Sequence, residues 1–352
     1  MQQGSPVYRP VSLDHEYLAG KLLERYAGVR AGIWQTLSGD QRARIRSIFL
    51  SFTGSLQESI ATGSPAFLND CACREEARAA SRHLPRGFVL SLLGVLADVL
   101  PRELPADYRD QAGEWVRQTA RSLKSPGCER PESPLPAGAG ALLDALAAAD
   151  KGRASAVVDE ALAGGSTVRE LYLTLFQPAL RETGRRWEDG RAGITEEHYV
   201  TAFIVQAMEQ LRDRVIAEGK KKPRQKTVVA ACVGEELHDV GIRMVADLFE
   251  MDGWNVYYIG ANTPERCIPE AVARLKADAV ALSITMPSRL PGLQYLIRSL
   301  RADAALAPVK IIVGGYPFQV LPDLWERIGA DAGAVDAEDA VAAANRLTAN
   351  GS

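Results

Sequence analysis

Thr227-Val-Val-Ala-Ala-Cys-Val-Gly-Glu-Glu-Leu-His-Asp-Val-Gly241 decides how this chain folds. Its first seven residues are apolar almost without interruption, and Gly234 ends the run. A strand with no polar alternation is buried on both faces, as in a parallel sheet covered by helices. The same rhythm recurs downstream. Strands are expected at Thr227–Val233, Asn255–Ile259, Ala279–Ile284 and Lys310–Val313, with a weaker fifth near Ala332–Val335. Helices are expected between them at Gly241–Met251, Pro264–Lys276, Pro291–Arg301 and Pro322–Ile328. Residues 226–350 therefore read as an α/β domain with a parallel sheet. Such sheets bind ligands beyond the carboxyl ends of their strands, which here means Glu236–Gly241, Gly260, Ser283–Thr285 and Gly314-Gly315.

Everything before this domain reads as helix. Leu18, Leu22, Leu23, Tyr26, Val29 and Ile33 step by three and four, and Ile45, Ile48, Phe49, Phe52 and Leu56 repeat the stripe. Phe88–Leu100 is dense enough for a helix buried on most sides, with Pro101 and Pro105 expected to end it. Ser125–Gly140 is rich in Pro and Gly and fits only a linker. A second helical group follows, with Ser166-Thr167 and Thr195 as expected caps. The polar Glu218–Gln225 reads as a solvated connector. The domains are thus an all-helical segment at 10–124, a linker at 125–138, a four-helix bundle at 139–219, a connector at 220–225 and the sheet domain at 226–350.

Composition removes several function classes. The net charge of −3 over 352 residues leaves no basic footprint for nucleic acid. No run approaches the ~20 apolar residues of a membrane span. The first residues lack a signal-peptide pattern, so the expected compartment is the cytoplasm. Five scattered cysteines read as reduced thiols, and Cys71 with Cys73 do not form a zinc motif.

The loop after the first strand lacks the G-x-G-x-x-G of a nucleotide site. A histidine at its tip suits a metal ligand reaching out of the fold. Glu236 or Asp239 would hold the other ring nitrogen and set the tautomer. Gly241 would open the next helix without blocking a close ligand. Ser283 and Gly314-Gly315 would leave room for an elongated group.

Glu236-x-His238-x-x-Gly241, Ser283-x-Thr285 and Gly314-Gly315 together resemble the cobalamin-binding domain of methionine synthases, corrinoid proteins and cobalamin photoreceptors. That family has Asp where this chain has Glu236, and Leu where it has Thr285; the Glu form occurs in the photoreceptor branch. The resemblance implies a flavodoxin-like, Rossmann-type domain. It also implies His238 as lower ligand to cobalt, and a nucleotide tail threaded past Ser283, Thr285, Gly314 and Gly315.

Trp187 followed ten residues later by Glu197-His198 is similar to the helical cap of CarH-type light-sensing repressors. The resemblance implies adenosylcobalamin sheltered by Trp187 and Glu197. His198 becomes the upper cobalt ligand once light has broken the Co–C bond. The winged-helix DNA-binding head of those repressors has no counterpart here. Instead the first segment resembles the globin-like sensory domain of stressosome proteins, and the whole arrangement resembles the photocobilins, which pair cobalamin with biliverdin. On that resemblance Arg82 and Arg86 meet bilin propionates and His83 a pyrrole.

Taken alone, His198 reads as a surface residue and Trp187 as bundle core; the combined spacing of Trp187, Glu197 and His198 argues otherwise, whereas His83 reads first as a solvated or structural histidine. The leading expectation is a photoreceptor and signalling protein, not an enzyme, whose light-dependent oligomeric state is read by a separate effector. Two alternatives stand beside it. One is a methyl-carrying corrinoid protein of a methyltransferase system, and the other a non-photic, stressosome-like scaffold.

Overall fold

Strand–helix alternation is confined to the C-terminal part of the chain, and the residues before it are helical, as the periodicity predicts. The computed structural model describes residues 7–82, 84–85, 87–124 and 134–349. Contacts divide the chain into two units, residues 1–131 with 188–191, and residues 132–187 with 192–352.

In the first unit, α1 (His15–Val29), α2 (Ala31–Thr36), α3 (Gly39–Thr62), α4 (Ala66–Ser81), α5 (Phe88–Glu103) and α6 (Ala106–Ser122) follow one another. Ser38 and Gln41 close a reciprocal capping box at the start of α3. Phe49, Phe52 and Leu56 of α3 share one core with Leu22 of α1 and Leu92 and Leu96 of α5. Pro101 lies inside α5 instead of ending it; three residues from the end, a proline removes one donor while keeping a helical φ. Cys71 is buried and free, whereas Cys73 is disulfide-bonded, which corrects the expectation of thiols throughout. Two residues apart on a helix, their side chains point to nearly opposite sides. Inside the unit, Tyr8 donates its hydroxyl to the buried carboxylate of Glu58 at 3.2 Å.

The second unit opens with α7 (Ala137–Ala147), α8 (Lys151–Ala163), α9 (Val168–Leu171), α10 (Gln177–Glu188), α11 (Ile194–Gln210) and α12 (Arg212–Gly219). Thr167 caps α9 with Glu170, as expected. A π-turn, Tyr172–Phe176, joins α9 to α10 just ahead of Pro178, whose missing donor the widened turn accommodates. The start of α11 differs from expectation. Gly193 takes the N-cap position, Glu196 accepts from its N–H at 2.8 Å, and Thr195 falls inside the helix.

Strands β1 (Thr227–Val233), β2 (Asn255–Thr263), β3 (Ala279–Ser283), β4 (Lys310–Gly314) and β5 (Ala332–Ala334) alternate with α13 (Val240–Met251), α14 (Cys267–Leu275), α15 (Leu290–Ala302), α16 (Tyr316–Val320) and α17 (Leu324–Ile328), and α18 (Ala337–Ala349) follows. The strands form one parallel sheet in the order β2-β1-β3-β4-β5. β1 is buried along its length after Thr227, and the edge strand β2 is largely exposed.

Bundle and sheet are not two bodies on a loose connector. Tyr172, Phe176, Leu211 and Val215 belong to the same apolar core as Phe249, Met251, Val341 and Ala344, so the bundle lies on the α13–α18 face. Tyr172 donates to Asp247 of α13 at 2.7 Å, and Arg212 pairs with Asp247 at 3.0 Å and with Glu250. The basic connector is pinned as well, since the Arg224 N–H donates to Gly253 O at 2.7 Å and its guanidinium pairs with Asp252. Among the described residues no helix is long and apolar enough to cross a membrane.

Candidate functional site

Cys232, Ser283 and Gly314 stand side by side at the ends of β1, β3 and β4. Neighbours β2 and β3 flank β1 on opposite sides, and the point where chain connections part in this way is where such sheets open a crevice. Glu236, His238, Asp239 and Gly241 follow β1 into it. Ser283 ends β3 with Thr285 just beyond it, and Gly314 ends β4 with Gly315 next.

Glu236 holds this end together. Only 1% of it is exposed. Its Oε1 accepts from the N–H groups of Leu237 and His238, each at 3.1 Å, and from His238 Nδ1. Its Oε2 accepts from the N–H groups of Thr285 at 2.7 Å and Met286 at 2.9 Å. One carboxylate thus ties the loop after β1 to the loop after β3, and Arg289 with Glu235 at 2.8 Å ties them again. Burial alone would push the Glu236 carboxyl up. The hydrogen bonds from the His238 ring and from the N–H groups of Met286, Thr285 and His238 outweigh it and hold it at about 2.

His238 is thereby oriented. Its Nδ1–H donates to Glu236, which leaves Nε2 as the outward nitrogen. That hydrogen bond raises its pKa against the effect of burial, and the charges of Glu236 and Glu197 add to the rise. Glu236, and not Asp239, is the partner of the ring. Asp239 instead accepts from the hydroxyl of Tyr258 on β2 at 2.9 Å.

Glu197, at the start of α11, is near enough for its charge to act on the His238 ring. Glu197 and His198 repeat the arrangement below them. His198 Nδ1–H donates to Glu197 Oε2 at 2.6 Å, and Thr201 donates to Oε1 at 2.9 Å. His198 is more exposed than His238, with 72% of its side chain accessible against 59%. Trp187, near the end of α10, is half-exposed.

The glycines divide in role. A Cβ on Gly241 would meet nothing within 4 Å, so the space before α13 is open. Gly315 has φ +106, and a Cβ there would stand 1.9 Å from the Ile284 carbonyl oxygen. It is required by the close crossing of the β3 and β4 exits. Among the described residues no three His, Cys, Asp or Glu side chains converge as a metal cage. The donor set is an imidazole with a carboxylate behind it, which fits a metal that brings its own equatorial ligands.

Sequence reasoning missed the Thr285 and Met286 N–H groups and Tyr258. Backbone donors leave no sequence signal, and Tyr258 belongs to an exposed edge strand with no motif. Of the residues expected to meet a bilin, His83 and Arg86 lie outside the described residues. Arg82 is exposed, its guanidinium against Gly190.

Residues 226–345 and residues 139–212 each match a family model described as a B12 binding domain. The chain is 29% identical over 171 residues to dimethylamine corrinoid protein 3 of Methanosarcina mazei, a match covering 48% of this chain and all of that protein. It is 28% identical over 197 residues to trimethylamine corrinoid protein 2 of the same organism, covering 55% of this chain and 88% of that one. The solved structure of the Methanosarcina barkeri monomethylamine corrinoid protein superposes with a TM-score of 0.53 at 22% identity, over 58% of this chain and 96% of that one, and shares its fold.

Proposed function

Taking residues 139–345 as a cobalamin-binding module, we propose that this chain is a corrinoid protein of a methyl-transfer system. His238 would hold its cofactor, with residues of α10 and α11 contributing, and a separate methyltransferase would do the chemistry. The observation that carries this reading is the Glu236–His238 dyad, with Nδ1 occupied and Nε2 turned out. The likeness to methylamine corrinoid proteins supports it. When bound, cobalamin supplies a cobalt centre that accepts and passes on a one-carbon group.

The chain's own residues do the rest. Glu236 fixes the tautomer of His238 and makes Nε2 a stronger donor. Ser283, Thr285, Gly314 and Gly315 stand at the strand exits, where they would meet a nucleotide tail. Trp187 and the first turn of α11 would shield the bound cofactor from water. The test is reconstitution with cobalamin and a methyl-transfer assay with a cognate methyltransferase. Transfer that survives His198→Ala and fails in His238→Ala is the expected result. No transfer, or transfer indifferent to His238→Ala, would sink the reading.

The second Glu–His dyad favours a second reading. Glu197 presents His198 as Glu236 presents His238, an arrangement a plain methyl carrier does not need. In this reading the chain would be an adenosylcobalamin photoreceptor: His198 would ligate cobalt after illumination, the assembly state would change, and the first unit would hold biliverdin. Protein reconstituted in the dark with adenosylcobalamin and biliverdin is recorded before and after green light. A two-histidine spectrum that disappears in His198→Ala, with a red-absorbing band, supports it; an unchanged spectrum removes it.

A further inference from the structure

Asp239 stands at the N-cap of α13, where an aspartate ordinarily accepts from the N–H groups of the helix's first turn. Here its side chain makes no such bond. Its Oδ2 accepts instead from the hydroxyl of Tyr258, nineteen residues away on β2, at 2.9 Å. The helix forgoes the stabilisation of that cap. A local rule broken without local gain marks a position that answers to something else.

Strand β2 is shaped to reach this aspartate. Ala230 pairs with Tyr258 but Ala231 pairs with Gly260, so Ile259 is an extra residue in the ladder. Such bulges re-aim side chains and gather beside functional sites. Gly260, at φ +90, has the Tyr258 ring 3.5 Å from where a Cβ would stand. The neighbouring Tyr257 goes the other way, its hydroxyl accepting from Arg274 of α14 at 2.8 Å.

The peptide that receives this anchor is the one after His238. Glu236 fixes the ring and N–H of His238 from the side of β3, and Cys232 touches its carbonyl oxygen at 3.6 Å. Asp239 is held from the opposite side, by β2. Without Tyr258 the loop keeps its backbone bonds to β2, Gly234 N–H to Thr263 O and Asn262 N–H to Glu236 O, each at 2.8 Å, but the residue after His238 loses its own anchor to that strand, and the outward nitrogen is held less firmly.

We propose that Tyr258, acting through Asp239, is a positioning residue that aims His238 at the metal of the bound corrinoid. The proposal rests on the reading of His238 as an axial ligand. Full-length protein made with nitrogen-15 histidine is titrated with aquocobalamin, and the fraction of cobalt bearing a histidine nitrogen is read from the doublet splitting by electron paramagnetic resonance after reduction. Thermal midpoints of the cofactor-free proteins are recorded alongside.

Tyr258→Phe is expected to bind about tenfold more weakly, with a smaller histidine-ligated fraction. Its thermal midpoint is expected to stay or rise, because Asp239 is released to cap α13. Asp239→Asn keeps an acceptor for the tyrosine and is expected to keep the wild-type signature, while Asp239→Ala is expected to lose it. An unchanged affinity and signature in Tyr258→Phe overturn the proposal. So does a loss of affinity that merely follows a loss of thermal stability across all three variants. Equal signatures in wild type and His238→Ala overturn the ligand assignment itself, and the proposal with it.

Discussion

Glu58 and Glu236 are two glutamates buried to the same degree, 2% and 1% exposed, with opposite chemistry. Glu58 has one hydroxyl and one amide for company, Tyr8 at 3.2 Å and Gln57 at 3.4 Å. Burial wins there and pushes its carboxyl up to about 7 against the pull of those two bonds. Glu236 has an imidazole and four backbone N–H groups, and its carboxyl is held at about 2. Depth therefore says little about role. The donors aimed at a carboxylate decide whether it is a proton-binding core residue or a permanent anion that can orient a ligand.

The contrast breaks most readily at Glu236. Replacing it with Gln leaves N–H groups of two loops facing an amide. We expect roughly 3–5 kcal/mol of lost stability in chemical denaturation, together with loss of histidine ligation. A loss under about 1 kcal/mol would mean that the two loops hold without it.

The pH dependences of the two residues run in opposite directions. The folded state binds the Glu58 proton more tightly than the unfolded chain does. Its contribution is full below about 4.5 and is lost as pH rises through about 7. The shift amounts to about 3 kcal/mol. Glu236 contributes above about 4.5, and that stability is lost as pH falls toward about 2. Denaturation of Glu58→Gln across pH 4 to 8 (on the order of that window) should flatten the first dependence only. An unaltered slope would show that Glu58 ionises freely in the folded protein.

Tyr172→Phe removes the buried bond to Asp247 and is expected to cost about 1–2 kcal/mol, read as a lower denaturation midpoint. No loss would show that the shared apolar core and the Arg212 ion pairs fasten bundle to sheet without it. The smallest effect is expected at the upper dyad. Its Glu197 has two partners where Glu236 has five donors, so His198→Ala should change cobalamin affinity by no more than about threefold, against 10–100-fold for His238→Ala. Equal losses at the two histidines would erase the distinction between a fixed ligand and a conditional one.

The sheet domain was legible because each strand is an uninterrupted apolar run. β1 matches its expected limits, and β3 and β4 are within a residue of theirs. Strand β2 runs four residues past its expected end at Ile259, because the bulge and Gly260 carry it on through Thr263. The cap of α11 was misassigned to Thr195 because a glycine N-cap leaves only a remote signal, the carboxylate of Glu196. At the site, the sequence offered Glu236 and Asp239 equally as partner of His238. Only folding separates them, since the choice depends on Tyr258 and on backbone N–H groups that no side-chain pattern records. The sharing of one core between bundle and sheet was also hidden, because an amphipathic stripe does not name the surface that covers it.

The central claim is that the protein's own His238 is the axial donor to cobalt. It is tested most directly by electron paramagnetic resonance of the reduced, cobalamin-loaded protein made with nitrogen-15 histidine. If His238 is the ligand, the axial nitrogen splitting changes from a triplet to a doublet on labelling, and the doublet is absent in His238→Ala. A triplet that survives labelling would place another nitrogen on the metal and contradict the account.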